Sequence, residues 1–259
     1  MGRCGPEMVG TVPAKKWLAS YLLLMQWQLG RLKLVLPLVT IVQLFTGMGT
    51  VVGLGFLLPR IDASSALFLT TGAPTLTLLA LGLALVPQVT AHSKAEGSFL
   101  YFWSLPVPRL AVLAADTTIW SLVTIPGVVL ALGFGSWYYG FRLSVSPLVV
   151  PVFLLISLTA TSVGYAIAHL VPRAEVVGVI TNVIIFVVFL FSPINYPSER
   201  LPDWLAQAHR FLPVQPAAEL VRETLTSGSP EEMARRFAVL TLWCAGALAA
   251  TYAAATRRR

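Results

Sequence analysis

Few side chains in this sequence are equipped for chemistry, and their spacing restricts what they can do. Asp116 is the one acidic residue inside a long apolar run; a carboxylate there relays protons or pairs with a basic neighbour. It lies about two helical turns from Arg109, so pairing at that end competes with proton transfer. Histidine occurs only at His92, His169 and His209, without the His-Glu-x-x-His spacing that sets two imidazoles and a general base on one helix face. There is no Gly-x-Ser-x-Gly elbow, and no glycine-rich loop ending in Gly-Lys-Ser/Thr to cradle phosphates. Cys4 near the start and Cys244 in the last apolar run offer no disulfide framework or metal cluster. Hydrolytic, redox and metal chemistry are therefore poorly supported, no catalytic residue or metal site is expected, and ATP is not bound through a Walker motif of this chain.

The elements that position these residues are membrane spans. With 56% hydrophobic and 11% charged residues and a mean hydropathy of +0.78, the chain has too little polar surface to wrap a soluble core. A helix needs roughly 20 apolar residues to cross the hydrocarbon layer. Six runs qualify: Leu34–Leu58, Ala66–Val89, Leu110–Phe134, Leu148–Leu170, the short Gly178–Phe191 with its continuation, and Phe237–Ala254. The expected fold is an all-α integral membrane protein of six transmembrane helices, treated as one domain over residues 1–259.

Charge orients it. The termini and the loops after the second and fourth spans hold Arg3, Lys15, Lys16, Arg31, Lys33, Lys94, Arg109, Arg173 and Arg257 to Arg259, eleven basic residues, against Glu7, Glu96 and Glu175. The other side balances seven arginines (60, 142, 200, 210, 222, 235, 236) against seven acids (62, 199, 203, 219, 223, 231, 232). Basic residues mark the cytoplasmic side, so both termini are expected there, and the net +7 reflects orientation and not nucleic-acid binding. Residues 13–33, with Trp17, Tyr21, Met25 and Trp27 between basic ends, read as an amphipathic interfacial helix. The alternative is an extension of the first span. The segment lacks a signal-peptide cleavage site and is expected to stay in the mature protein.

Two connections stand out. The cytoplasmic loop 90–109, AHSKAEGSFLYFWSLPVPR after Thr90, packs Phe99, Tyr101, Phe102 and Trp103 into a few residues; this is either an aromatic belt or a docking surface. Residues 192–229 are too apolar for an ordinary loop, yet Pro193, Pro197, Pro202, Pro213 and Pro216 prevent one helix from running through them. Short helical pieces near the outer surface are expected, with Glu219, Arg222, Glu223, Glu231, Glu232, Arg235 and Arg236 on a solvated face. Ser229-Pro230-Glu231-Glu232 then starts the last helix. Gly47, Gly49, Gly53 and Gly55 suggest close helix packing.

These features together resemble the permease subunits of type-2 ABC exporters. In the first cytoplasmic loop the family's acidic-glycine element, apolar helix and Pro-x-x-Arg-like exit correspond to Glu96 and Gly97, Phe99 to Leu105, and Pro106 to Arg109. The more specific match is a Pro-x-x-x-x-Pro-x-Trp element before a Leu-Pro turn: Pro197, Pro202, Trp204, Leu212 and Pro213. The family usually places a small residue just before this element, where this chain has Ser192-Pro193-Ile194-Asn195.

The resemblance implies that Glu96, Gly97, Phe99, Tyr101, Phe102, Trp103 and Arg109 form a coupling helix on a separate ATP-binding subunit, which holds the ATP and Mg. It implies an external re-entrant segment at 192–229 and a second permease, identical or related. The path between the two would use Phe45, Thr46, Thr70, Asn182, Phe186 and Phe189, with Phe191 beside them, although each phenylalanine equally suits a lipid-facing or core position, and Thr46, Thr70 and Asn182 suit bonds between helices better than a path lining. The implied function is ATP-driven efflux of a drug-like, lipid-like or other amphiphilic molecule across the cell membrane. A proton-coupled secondary transporter using Asp116, and a membrane-embedded enzyme or scaffold, are the alternatives.

Overall fold

The apolar runs fold as helices because backbone groups in hydrocarbon must bond within their own segment. The computed structural model describes residues 14–57, 62–97, 108–226 and 230–256. In chain order its helices are α1 (Ala14–Leu32), α2 (Val35–Leu57), α3 (Ala63–Ala80), a π-helical turn (Leu81–Leu85) and α4 (Val86–Ala95). Then follow α5 (Arg109–Tyr139), α6 (Val149–Leu170), α7 (Ala174–Phe191), α8 (Asp203–Phe211), α9 (Val214–Thr226) and α10 (Pro230–Thr256). Among the described residues six stretches are long and apolar enough to cross a membrane: α2, the column α3–π–α4, α5, α6, α7 and α10. This is the all-α, six-span architecture read from hydropathy.

Several boundaries move. The second span runs to Ala95 and not Val89, because Thr90 returns its hydroxyl to the Val86 carbonyl (2.8 Å) and so keeps a polar residue inside the helix. The connection expected from residue 90 thus starts only at Glu96. The third span continues to Tyr139, making Trp137, Tyr138 and Tyr139 a last helical turn and not a loop; Gly140, at φ +72°, ends it. Span five begins at Ala174, four residues before the expected Gly178, which leaves Val171 to Arg173 between spans four and five and places Glu175 in a helical first turn.

α1 does not prolong the first span. A turn at Lys33 and Leu34 separates it from α2, and Trp17, Tyr21, Leu24 and Met25 pack on Ala111, Val112 and Ala115 of α5. Tyr21 donates to the Thr118 hydroxyl (2.9 Å). About 12 Å of α1 meets about 10 Å of α5 over these contacts, with Gln28 one further turn along facing Asp116. α1 therefore packs on the first turns of α5 as a helix distinct from the first span.

Span two is the central column: 83% of its apolar stretch is buried, against 17% for spans five and six. Its π-turn has a local cause. Pro87 carries no N–H and its ring would crowd the Leu83 carbonyl four residues back, so the chain widens there and Val86 N–H bonds Leu81 O across five residues. At that level α6 approaches backbone to backbone; a Cβ on Gly82 would lie 2.7 Å from the Ala160 carbonyl carbon, and one on Gly164 would lie 2.9 Å from Pro87 Cδ. Of the first-span glycines, Gly47 makes the expected close packing, with Gly127 O 2.7 Å from its missing Cβ, whereas Gly49 and Gly53 face open space. The main core joins this column to α6, α9 and α10 through Leu76, Leu79, Leu83, Ile156, Val221 and Leu240.

Candidate functional site

The most closely built polar site lies where the chain returns after α7. Ser192 and Ile194 are fully buried, because the turn Ser192–Asn195 inserts against Gly72 of α3. A Cβ at position 72 would lie 2.7 Å from Ile194 O and would also collide with the Asn195 side chain. Gly72 is nine residues into α3, so the turn reaches about 13 Å below the end of that span.

Arg222 of α9 secures this insertion. Its Nη2 donates to Ile194 O (2.9 Å), its Nε donates to Thr71 Oγ1 (3.2 Å), and its guanidinium sits 3.8 Å from the Phe68 ring centroid. One turn away Arg236 of α10 donates to Glu219 (2.6 Å), Glu223 and Glu232 (2.8 Å), and Gln215 donates to the other Glu219 oxygen (2.8 Å). Of the charges expected on a solvated face, Glu231, Glu232 and Arg235 are exposed, whereas Glu219, Glu223 and Arg236 are drawn into a clasp between α9 and α10, with the Arg236 side chain only 14% exposed. Glu219 and Glu223 lie four residues apart on one side of α9, and packing turned that side toward α10. Ser144 and Ser146 backbone N–H groups bond Leu225 O (2.9 Å) and Thr224 O (2.8 Å), holding the end of α9 from the α5–α6 connection.

The proline element starts and stops the pieces as expected. Pro197 precedes a single 3-10 turn, Pro202 precedes α8, and the Pro213 carbonyl accepts from Ala217 N–H (3.2 Å) in the first turn of α9. Trp204 is 71% exposed, whereas His209 on the same helix is buried, and burial pushes its pKa down. The Trp243 indole of α10 donates to Phe211 O (2.7 Å) and ties down the end of α8.

At the opposite end, span two finishes at Glu96 and Gly97. Gly97 has φ +78° with nothing near its absent Cβ, so backbone conformation and not space demands glycine there. Thermal melting of purified variants is expected to rank Gly above Asn, then Ala, then Val, with Ala about 1–2 kcal/mol less stable than Gly. Lys94 Nζ donates to Ala168 O at the end of α6 (2.5 Å), and Arg31 of α1 donates to Ser93 Oγ (3.0 Å). Phe99, Tyr101, Phe102 and Trp103 lie outside the described residues, as does the side chain of Arg109, whose backbone opens α5. Asp116 is partly buried, and the groups facing it come from α1: the Gln28 amide and, in electrostatic range, the Arg31 guanidinium.

The residues assigned to a path do not converge within one chain. Phe45 (76% exposed) lies on the outer face of α2, and Asn182, Phe186 and Phe189 lie on the outer face of α7, with Phe191 at its end. Thr46 bonds its own helix through Val42 O, and Thr70 is fully buried where α3 meets Gly135 of α5. Gly72, Arg222 and Arg236 escaped the reading of motifs. The available signal was an arginine among glutamates three and four residues apart in a segment too apolar to be solvated.

Six helices long and apolar enough to cross a membrane, packed around the buried column of span two with the turn after α7 set against Gly72, define a multi-pass membrane protein. The chain belongs to the ABC-2 type transporter family, whose model matches residues 19–226. Proteins of this family are the membrane components of ABC-type transport and work with an ATP-binding subunit. No curated protein matches the chain.

Proposed function

We propose that this chain is the permease subunit of an ATP-driven exporter that moves a drug-like, lipid-like or other amphiphilic molecule outward. The observation that carries this reading is the continuity of span two, which runs without a break from Glu96 and Gly97 at one end to Thr71 and Gly72 under the re-entrant turn at the other. A displacement of the connection after Gly97 would pass along a buried column to the opposite mouth. Glu96, Gly97, Phe99, Tyr101, Phe102, Trp103 and Arg109 dock on a separate ATP-binding subunit, which carries the ATP and Mg. The basic end, with both termini, faces the cytoplasm.

The apolar faces bearing Phe45, Asn182, Phe186 and Phe189 are available to a second permease copy or related chain, and an apolar path between two such faces suits amphiphilic cargo. Pro197, Pro202, Trp204 and Pro213 shape its outer exit. The test is purification of the tagged, full-length chain in mild detergent followed by a vesicle transport assay. An ATP-binding subunit is expected to co-purify, and Phe102→Asp is expected to weaken its capture without altering membrane insertion. Asp116→Asn is expected to leave ATP-dependent transport intact. A transport-competent preparation without any ATPase, or transport abolished by Asp116→Asn while ATPase capture is unchanged, would overturn the reading in favour of proton coupling.

A further inference from the structure

We infer that the free face of α1 is a binding surface for anionic phospholipid headgroups of the cytoplasmic leaflet, and that it communicates with the end of span two through Arg31. The assignment of leaflet rests on the orientation proposed above. α1 commits one face to α5, through Trp17, Tyr21, Leu24 and Met25. Its other face leaves Leu18, Leu22, Leu23 and Leu29 exposed along the middle, with exposed Lys15 and Lys16 at one end; at the other end exposed Lys33 follows in the turn, and Arg31, exposed but seven residues from Leu24 and three from Gln28, stands at the edge of the side that meets α5. No acidic residue occurs between positions 14 and 33. Lys15, Lys16, Arg31 and Lys33 make no ion pair among the described residues, and Asp116 is the acidic group within electrostatic range of Arg31.

An apolar stripe with cations at both ends fits acyl chains in the middle and phosphates at the ends. The two basic ends are about 22 Å apart from Lys16 to Arg31, so the helix spans more than one headgroup. A neutral aqueous partner would not explain cations at both ends, and an acidic protein would not explain leucines between them. Charge complementarity with the anionic leaflet accounts for both.

The Arg31 end links this surface to the rest of the fold. One of its five N–H donors goes to Ser93 Oγ (3.0 Å), and its guanidinium lies 5.4 Å from the Trp27 ring centroid. The remaining donors suit a phosphate oxygen. Ser93 is four residues before Gly97, so a headgroup on Arg31 fixes α1 against the last turn of the helix that enters the connection.

The test places the full-length protein in nanodiscs of phosphatidylcholine containing phosphatidylglycerol and compares spin-labelled versions of the two lipids for association with the protein. The wild type is expected to favour phosphatidylglycerol severalfold, with the preference shrinking at high salt. The quadruple variant Lys15→Gln, Lys16→Gln, Arg31→Gln, Lys33→Gln is expected to bring it to parity. The double variant Lys15→Gln, Lys16→Gln, which leaves the Arg31–Ser93 bond intact, is expected to lose part of it. An Arg142→Gln, Arg210→Gln control at the opposite end should retain the wild-type ratio. Equal association of both lipids with the wild type, a quadruple variant that keeps the preference, or a control that loses it would each overturn the inference. None of these outcomes bears on whether an ATPase co-purifies.

Discussion

Gly72→Leu is expected to abolish the folded, monodisperse protein, and Gly72→Ala to lower its stability by about 1–3 kcal/mol, the usual cost of overpacking. The added carbon meets backbone as well as the Asn195 side chain: Ile194 O would lie 2.7 Å away. That carbonyl cannot retreat freely, since Arg222 Nη2 holds it at 2.9 Å and Ile194 itself is fully buried in the main core. Leucine would therefore expel the turn and leave Arg222 and Asn195 without their places, adding the desolvation cost of buried polar groups to that of packing. Size-exclusion profile and thermal melting check this. Gly49→Leu is the control, because position 49 faces open space and the variant should elute and melt as wild type. A Gly72→Leu protein with wild-type melting would mean that the turn is not inserted at all.

Arg236→Met should destabilise the protein by an amount approaching the 3–5 kcal/mol typical of removing one partner from a buried ion cluster. Glu219 and Glu223 keep 25% and 12% of their side-chain surface, so they would remain mostly desolvated with their cation gone; Glu232, at 56%, would turn to water and lose little. The cost should fall below the upper figure for the share that solvent screens. A double-mutant cycle separates the clasp from simple loss of packing. Glu219→Gln with Glu223→Gln in the Arg236→Met background should recover a large part of the loss, because neutral amides carry no uncompensated charge. Equal melting of Arg236→Met with and without these changes would show that Glu219 and Glu223 are not held by Arg236. Shape at the re-entrant end rests on both arginines: Arg222 fixes the depth of the turn, and Arg236 fixes α9 to the last span.

The connection between spans five and six illustrates how far residue types carry. Proline positions foretold where its pieces begin, since a missing N–H is best tolerated at a helix start. The charges on α9 looked like a solvated face because alternating signs along a helix are the ordinary pattern of an exposed surface. Nothing in that pattern says whether another helix covers it. Likewise Thr90 reads as the polar start of a loop until its hydroxyl is seen returning to Val86 O. The phenylalanines of α2 and α7 carry the right composition for a path, but the fold puts them on outward, exposed faces that do not meet within one chain.

By itself the sequence determined the class of protein, the number of spans and the proline-broken segment, because each follows from local hydrophobicity, charge and backbone chemistry. Only the tertiary structure decided that span two is the buried column, that Gly72 receives the turn after α7, and that Arg222 and Arg236 look inward. Those facts depend on which helix faces which. Within a bilayer an apolar helix can turn any side toward its neighbours or toward lipid at similar solvation cost, so steric fit and paired charges make the choice.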